Sequence, residues 1–222
     1  MSQIYQIAID GPAGSGKSTL AKGVAKKLGI MYLDTGAMYR TCAVAAIKAG
    51  VDPKDNDSVS KLIESMKLEV KFIDGVQHMI LNGEDVTAIL RTPDVSKAAS
   101  DISALPVVRT SMVNMQRDIA KSETFLLDGR DIGSNVLPDA KYKFFVTASA
   151  EVRAQRRLLE DKEKGNSTQT FEEVLADIKY RDLQDSTREF APLIKTEDAI
   201  LIDTSNITIE QTLEALLSKV NE

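Results

Sequence analysis

Five short apolar runs recur along the chain, at 4–9, 31–33, 125–127, 142–146 and 200–202, with helical stretches between them. Unbroken rather than alternating hydrophobicity predicts strands buried on both faces, as in a parallel sheet. Four of the runs end in an acid, at Asp10, Asp34, Asp128 and Asp203. Ligands of open α/β sheets gather at the carboxyl ends of strands, where such acids collect. Leu20, Val24 and Leu28 share a helix face ahead of Gly29, a natural stop. Thr208 and Gln211 have capping-box spacing, and Ile209, Leu213, Leu216, Leu217 and Val220 then form an apolar stripe. Thr170 and Glu173 repeat the capping-box spacing before another helix. The alternation predicts an α/β, three-layer fold on a five-stranded parallel core sheet.

Two segments interrupt this pattern. From 68 to 86, Leu68, Val70 and Phe72 alternate with Lys67, Glu69 and Lys71, and Asp74-Gly75 and Asn82-Gly83 mark turns. A small antiparallel insert of two or three strands is expected there. The segment 151–170 is highly charged and runs into Lys164-Gly165-Asn166-Ser167, which predicts a helix leading into a mobile lid. The chain is expected to be one domain. Its core would be 1–36, 97–150 and 171–222, with an acceptor-binding insert at about 37–96 and the lid at about 151–170.

Composition narrows the field. With 222 residues, 43% of them hydrophobic, the chain can bury a core without disulfide or metal staples. A formal net charge of -5 and no basic stripe argue against nucleic acid as a partner. A single cysteine, Cys42, makes no intrachain disulfide. The first ten residues lack a basic n-region, and no run approaches a membrane span. A cytoplasmic address is expected. His78 falls in the insert and is expected to be structural or exposed, and Cys42 to pack as a small hydrophobe.

The chemistry begins at Gly11-Pro12-Ala13-Gly14-Ser15-Gly16-Lys17-Ser18, continued by Thr19. It satisfies the phosphate-loop pattern between an apolar strand and an amphipathic helix. Its glycines let backbone N–H groups wrap a phosphate chain, and the following helix adds its positive end. Lys17 can reach the β- and γ-phosphates, and the Ser18 hydroxyl can ligate magnesium. ATP as co-substrate and Mg2+ follow. Asp128 ends a strand and is a second metal candidate, although an acid there can equally be a helix cap or turn former.

What receives the phosphoryl group must be read elsewhere. A switch-type GTPase would need Asn-Lys-x-Asp after a late strand, and that tetrapeptide does not occur. Arginines instead follow strand ends or crowd the charged segment: Arg40, Arg130, Arg153, Arg156, Arg157, Arg181 and Arg188. Transfer between two anionic substrates needs several negative charges neutralised away from water, which the permanent charge and bidentate fork of arginine suit. Arg153, Arg156 and Arg157 fit a lid closing over phosphates. Thr35 could cap the helix after the second strand. Arg181, Asp185 and Arg188 share one helix face by spacing, which fits either a site or a surface salt-bridge ladder.

Taken together, several motifs resemble those of the bacterial cytidylate kinases, and the resemblance runs from Ile7 to the last helix. The segments are Ile9 to Ser18, Leu33-Asp-Thr-Gly-Ala-Met-Tyr-Arg40, Leu90-Arg-Thr-Pro-Asp-Val-Ser96 and Asp128-Gly-Arg-Asp-Ile-Gly133. Arg181-Asp182 with Asp185 and Arg188, then Ala191-Pro192-Leu193, complete the set. The resemblance implies the P-loop NTPase fold and transfer of the γ-phosphoryl of ATP to CMP or dCMP, in nucleotide biosynthesis and salvage. It implies Arg40, Arg130 and Arg188 as contacts around the acceptor phosphate. It implies Thr35, Ser100, Arg109 and Asp131 near base and sugar, and Arg181 and Asp185 at the pentose. Lys17, Arg130, Arg153, Arg157 and Arg188 would carry the catalytic charge, with Arg157 also on the ATP side. The insert at 68–86 resembles the family's enlarged acceptor-binding region. An arginine donating to N3 and O2 and an aspartate accepting from the 4-amino group would match the cytosine edge, and uracil would leave polar groups unmatched. Arg109 and Asp131 are expected to supply that edge. A kinase of UMP or AMP is the nearest alternative. A regulatory protein that hydrolyses ATP slowly is the alternative from another class. A monomer is expected.

Overall fold

The computed structural model describes residues 4–163 and 169–220. Residues 164–168 of the expected lid lie outside the described residues. The first half of the chain contributes β1 (Gln6–Asp10), α1 (Lys17–Leu28), β2 (Met31–Asp34), α2 (Thr35–Ala49), α3 (Asn56–Ser65), β3 (Leu68–Ile73), β4 (Val76–Leu81) and β5 (Glu84–Asp85). Next come α4 (Pro93–Ile102), α5 (Pro106–Ala120), β6 (Phe125–Gly129) and β7 (Tyr142–Thr147). The last are α6 (Ala150–Glu163), α7 (Phe171–Thr187), β8 (Ile200–Asp203) and α8 (Ile209–Val220).

The expected parallel sheet is present, in the order β2-β6-β1-β7-β8. β1 lies between β6 and β7, with Ile9 opposite Asp128 and Phe144. Ile7, Ala8, Ile9, Leu126 and Leu127 have no exposed surface, as two-sided burial requires. β8 departs from that pattern: Ile200 and Leu201 are exposed and only Ile202 is buried. Strands at a sheet's edge are covered less completely than central ones.

The chain forms two compact units, Met31–Thr124 and the remainder, Met1–Ile30 with Phe125–Glu222. In the unit holding β1, α1 ends at left-handed Gly29, whose N–H donates to the Ala25 carbonyl. α8 opens on the expected capping box, with Thr208 N–H bonded to Gln211 Oε1 at 2.9 Å and Gln211 N–H to Thr208 Oγ at 3.2 Å. Its buried stripe is Thr212, Leu216 and Val220, whereas Ile209, expected in the stripe, is exposed because it starts the helix. The capping box of Thr170 and Glu173 opens α7 as expected.

In the other unit, β3, β4 and β5 make a three-stranded antiparallel sheet. Its two turns hold Asp74-Gly75 and Asn82-Gly83 with positive φ at all four residues, the backbone the hairpin signal demands. His78 Nδ1 lies 2.7 Å from Asp85 across β4 and β5. Cys42 is buried in α2 with its thiol 3.7 Å from the Met112 sulfur, and burial pushes that thiol up to about 12. It packs as an inert small hydrophobe.

Candidate active site

The phosphate loop joins β1 to α1, so the chain turns from a buried strand straight into a helix N-terminus. Gly14 and Gly16 adopt left-handed φ values of 76° and 85°, where side chains are strained. Gly11 is required for space: a Cβ there would lie 2.0 Å from the Val146 carbonyl oxygen. Lys17 Nζ donates to the Pro12 carbonyl at 3.1 Å, folding the lysine back over the loop it must serve. Ser18 Oγ donates to Asp128 Oδ2 at 2.6 Å. The serine hydroxyl and an almost fully buried carboxylate thus converge, and these are the hard oxygen donors that a magnesium ion takes alongside phosphate and water. Among the described residues no three acidic, histidine or cysteine side chains cluster as a metal cage.

The loop is braced from behind by α6 and β8. Arg153, 4% exposed, donates through Nε to the Ala148 carbonyl at 2.8 Å and through its outer nitrogens to Ala13 O at 3.2 Å and to both oxygens of Asp182 at 2.8 and 2.6 Å. Its guanidinium therefore joins the phosphate loop to α7. Arg156 clasps Thr204, and Thr204 Oγ donates to the Ser15 carbonyl at 3.1 Å. Arg157 pairs with Asp161 at 2.9 Å on its own helix. The three arginines expected together in a lid thus have different surroundings. The sequence shows Asp182 only as part of the Arg181-Asp182 motif and does not single out Thr204, because their partners lie 29 and 48 residues away.

A second cluster grows from the end of β6. Arg130 Nε donates to Asp185 Oδ2 at 2.7 Å. Burial opposes charge on both groups, but each outweighs it for the other: Asp185 is held below the usual carboxylate range, and Arg130 is raised by Asp185, with Asp128 and Asp10 adding to it. Arg188 lies 3.4 Å from Asp131 Oδ1 and 3.9 Å from Asp185 Oδ1. The expected shared helix face is corrected here. α7 ends at Thr187, and Arg188 follows it with extended backbone, so Arg188 reaches Asp131 from outside the helix. Its Nε donates to the Ala191 carbonyl, and Leu193 N–H donates to the Asp185 carbonyl at 2.7 Å, which ties 188–193 to the same cluster. Asp185 turns to Arg130 rather than building a surface ladder. Arg181 sits half-buried one turn earlier on α7.

The Met31–Thr124 unit carries the other expected positions. Thr35 is buried as the first residue of α2, and the cap is Asp34, whose Oδ1 accepts from Ala37 N–H at 3.0 Å. This corrects the capping role expected of Thr35; the acid that ends β2 is better placed to accept. Asp34 Oδ2 also lies 3.8 Å from Arg40 and 3.4 Å from Arg91. Arg109 is 1% exposed on α5, donates to Ser103 O at 3.1 Å and stacks on the Tyr39 ring at 5.4 Å. Ser100 is half-buried on α4.

A phosphate loop on this parallel sheet, faced by an arginine and aspartate cluster, defines a P-loop phosphotransferase. The cytidylate kinase family model matches residues 7–222, and the chain belongs to that family. A cytidylate kinase of Caldicellulosiruptor saccharolyticus is 48% identical over 211 residues, covering 95% of this chain and 93% of the relative. One of Shouchella clausii is 46% identical over 222 residues, covering 100% and 98%. Among solved structures, a shikimate kinase of Bacteroides thetaiotaomicron superposes with a TM-score of 0.51 at 12% identity, covering 99% of this chain and 100% of the other. A protein of Eubacterium ventriosum gives 0.55 at 14% identity, covering 99% of each. These two share the fold. The chain is an enzyme, a kinase.

Proposed function

We propose that the enzyme transfers the γ-phosphoryl group of ATP to CMP or dCMP, yielding ADP and CDP or dCDP. The observation that carries this reading is the cluster of Arg130, Asp131, Asp185 and Arg188 beginning two residues after Asp128, which accepts from Ser18. A phosphate loop needs no such cluster to hold a triphosphate. A second anionic substrate does.

In this reading the loop backbone, the N-terminus of α1 and Lys17 bind the β- and γ-phosphates. Ser18 and Asp128 would hold magnesium, which when bound neutralises charge on the phosphate oxygens. Arg130, Arg188 and Arg40 bind the acceptor phosphate, and their charge lets the two anions approach. Arg153 keeps the loop in shape, and Arg157 leaves its surface pairs to reach ATP. Arg181 and Asp185 bind the pentose, with Thr35 and Ser100 beside base and sugar. Arg109 donates to the cytosine N3 and O2, and Asp131 accepts from the 4-amino group. No general base is required, because phosphoryl transfer rests on positioning and charge. A monomer acting in the cytoplasm on free nucleotides belongs to the same reading, and no described helix is long and apolar enough to cross a membrane.

An acceptor panel in a coupled ADP-release assay tests it. CMP and dCMP are expected to be the fast acceptors. Faster release with AMP or UMP would replace the assignment with a different monophosphate kinase.

A further inference from the structure

Asp10 has no part in the chemistry above, yet it is 5% exposed and held on both oxygens. Ile132 N–H donates to Oδ1 and Gly133 N–H to Oδ2, each at 2.7 Å. Burial pushes this carboxyl up to about 6 against the pull of those two N–H groups, and Asp131 adds to the rise while Lys17 opposes it. A charge here is therefore costly to the fold, and its geometry must repay the cost. A carboxylate can accept two parallel N–H bonds without donating. An amide would turn its own N–H groups against Gly133.

The clasped backbone is unusual. Val136 N–H donates to the Asp131 carbonyl at 3.0 Å and Leu137 N–H to the Ile132 carbonyl at 2.7 Å. These are the i to i+5 bonds of a π-turn, a rare form that recurs at functional sites. Ile132–Val136 form this turn directly after Arg130 and Asp131. Asn135 Nδ2 also donates to Asp131 Oδ2 at 2.9 Å. A Cβ at Gly133 would meet Asp10 Oδ2 at 3.4 Å, an ordinary contact, and the flexible Lys143 side chain at 3.2 Å. Asp10 is also the last residue of β1, and the phosphate loop starts at Gly11.

We propose that Asp10 is a positioning residue for the acceptor nucleotide: by clasping Ile132 and Gly133 it fixes how Arg130 and Asp131 leave β6, in register with the phosphate loop. The proposal rests on reading Arg130 and Asp131 as acceptor contacts. It assigns the strand-end acid a part in acceptor binding that the loop motif beside it does not contain.

The test is Asp10→Asn, with a calorimetric titration of a non-hydrolysable ATP analogue beside steady-state kinetics. The KM for CMP is expected to rise about tenfold or more, and CMP preference over UMP to fall, while analogue affinity changes less than about threefold. An unchanged KM for CMP in folded protein overturns the proposal, as does a loss of analogue affinity as large as the loss for CMP. If Asp10→Asn does not fold, Asp10→Ala removes the clasp and the buried charge together and must raise the same KM. Asp131→Ala, measured in parallel, separates the two readings. Unchanged base preference there contradicts the base assignment, and a raised KM for CMP in Asp10→Asn would still support anchoring through Arg130.

Discussion

Arg130 and Asp185, 55 residues apart in the chain, meet in a 2.7 Å hydrogen-bonded ion pair at the carboxyl end of β6. Asp185 holds the Arg130 guanidinium in place. Asp185→Ala is expected to lower stability by about 1–3 kcal/mol, less than for a fully buried pair because both side chains are partly exposed. It should also raise the KM for CMP. Denaturant unfolding and kinetics on the same preparation check both, and unaltered values for both would remove the pair from the site.

Asp131→Ala is expected to reduce CMP preference over UMP by at least about tenfold, since a pocket that pairs polar groups rejects an acceptor that leaves them unpaired. The ratio of the two kcat/KM values measures this. An unchanged ratio contradicts the assignment of Asp131 to the cytosine edge.

Gly11→Ala places a methyl group 2.0 Å from the Val146 carbonyl, and neither backbone can yield without moving β1 or β7. Loss of ATP-analogue binding is expected, with or without loss of fold. Ser18→Ala, in contrast, should leave the fold intact and lower kcat by about 10²–10³-fold, the scale of one charge-stabilising contact. A magnesium titration should show a raised requirement.

Arg153 and Asp182 are expected to act as one unit. Either alanine variant should cost about 3 kcal/mol because the partner is left charged and partly buried, and the double variant should cost little more. Additive losses in a double-mutant cycle would show that the two arms of this brace are independent.

Asp10 sets a pH dependence. Its carboxyl titrates at about 6 in the fold against an ordinary 3.8, so the folded state binds the proton more tightly. Its contribution is complete below about pH 4 and is lost as pH rises to about 6. Relative to Asp10→Asn, the native protein should therefore lose stability across that window and then level off. A gain across it would contradict the burial of this charge.

Much of this was legible in the sequence because the signals are local. The apolar runs located all five parallel strands, the Asp-Gly and Asn-Gly turns located the antiparallel sheet, and paired capping residues located α7 and α8. The phosphate loop is a contiguous motif and could be read whole. The rest depends on partners distant in the chain. That Asp10 grips Ile132 and Gly133, or that Thr204 holds the Ser15 carbonyl, follows only once β6, β1, β7 and β8 are assembled in one sheet. Thr35 and Arg188 show a second limit. Each lay one residue from a helix boundary, where a shift of one position decides which side chain caps and which leaves the helix.

Direct transfer to a cytidine monophosphate can be followed by label. With ATP labelled on the γ-phosphate and CMP as acceptor, the label is predicted to appear in the β-phosphate of CDP, in step with ADP release, with little release when CMP is omitted. Label recovered as inorganic phosphate at a rate independent of CMP would rule out direct transfer and mark the protein as a nucleotide hydrolase.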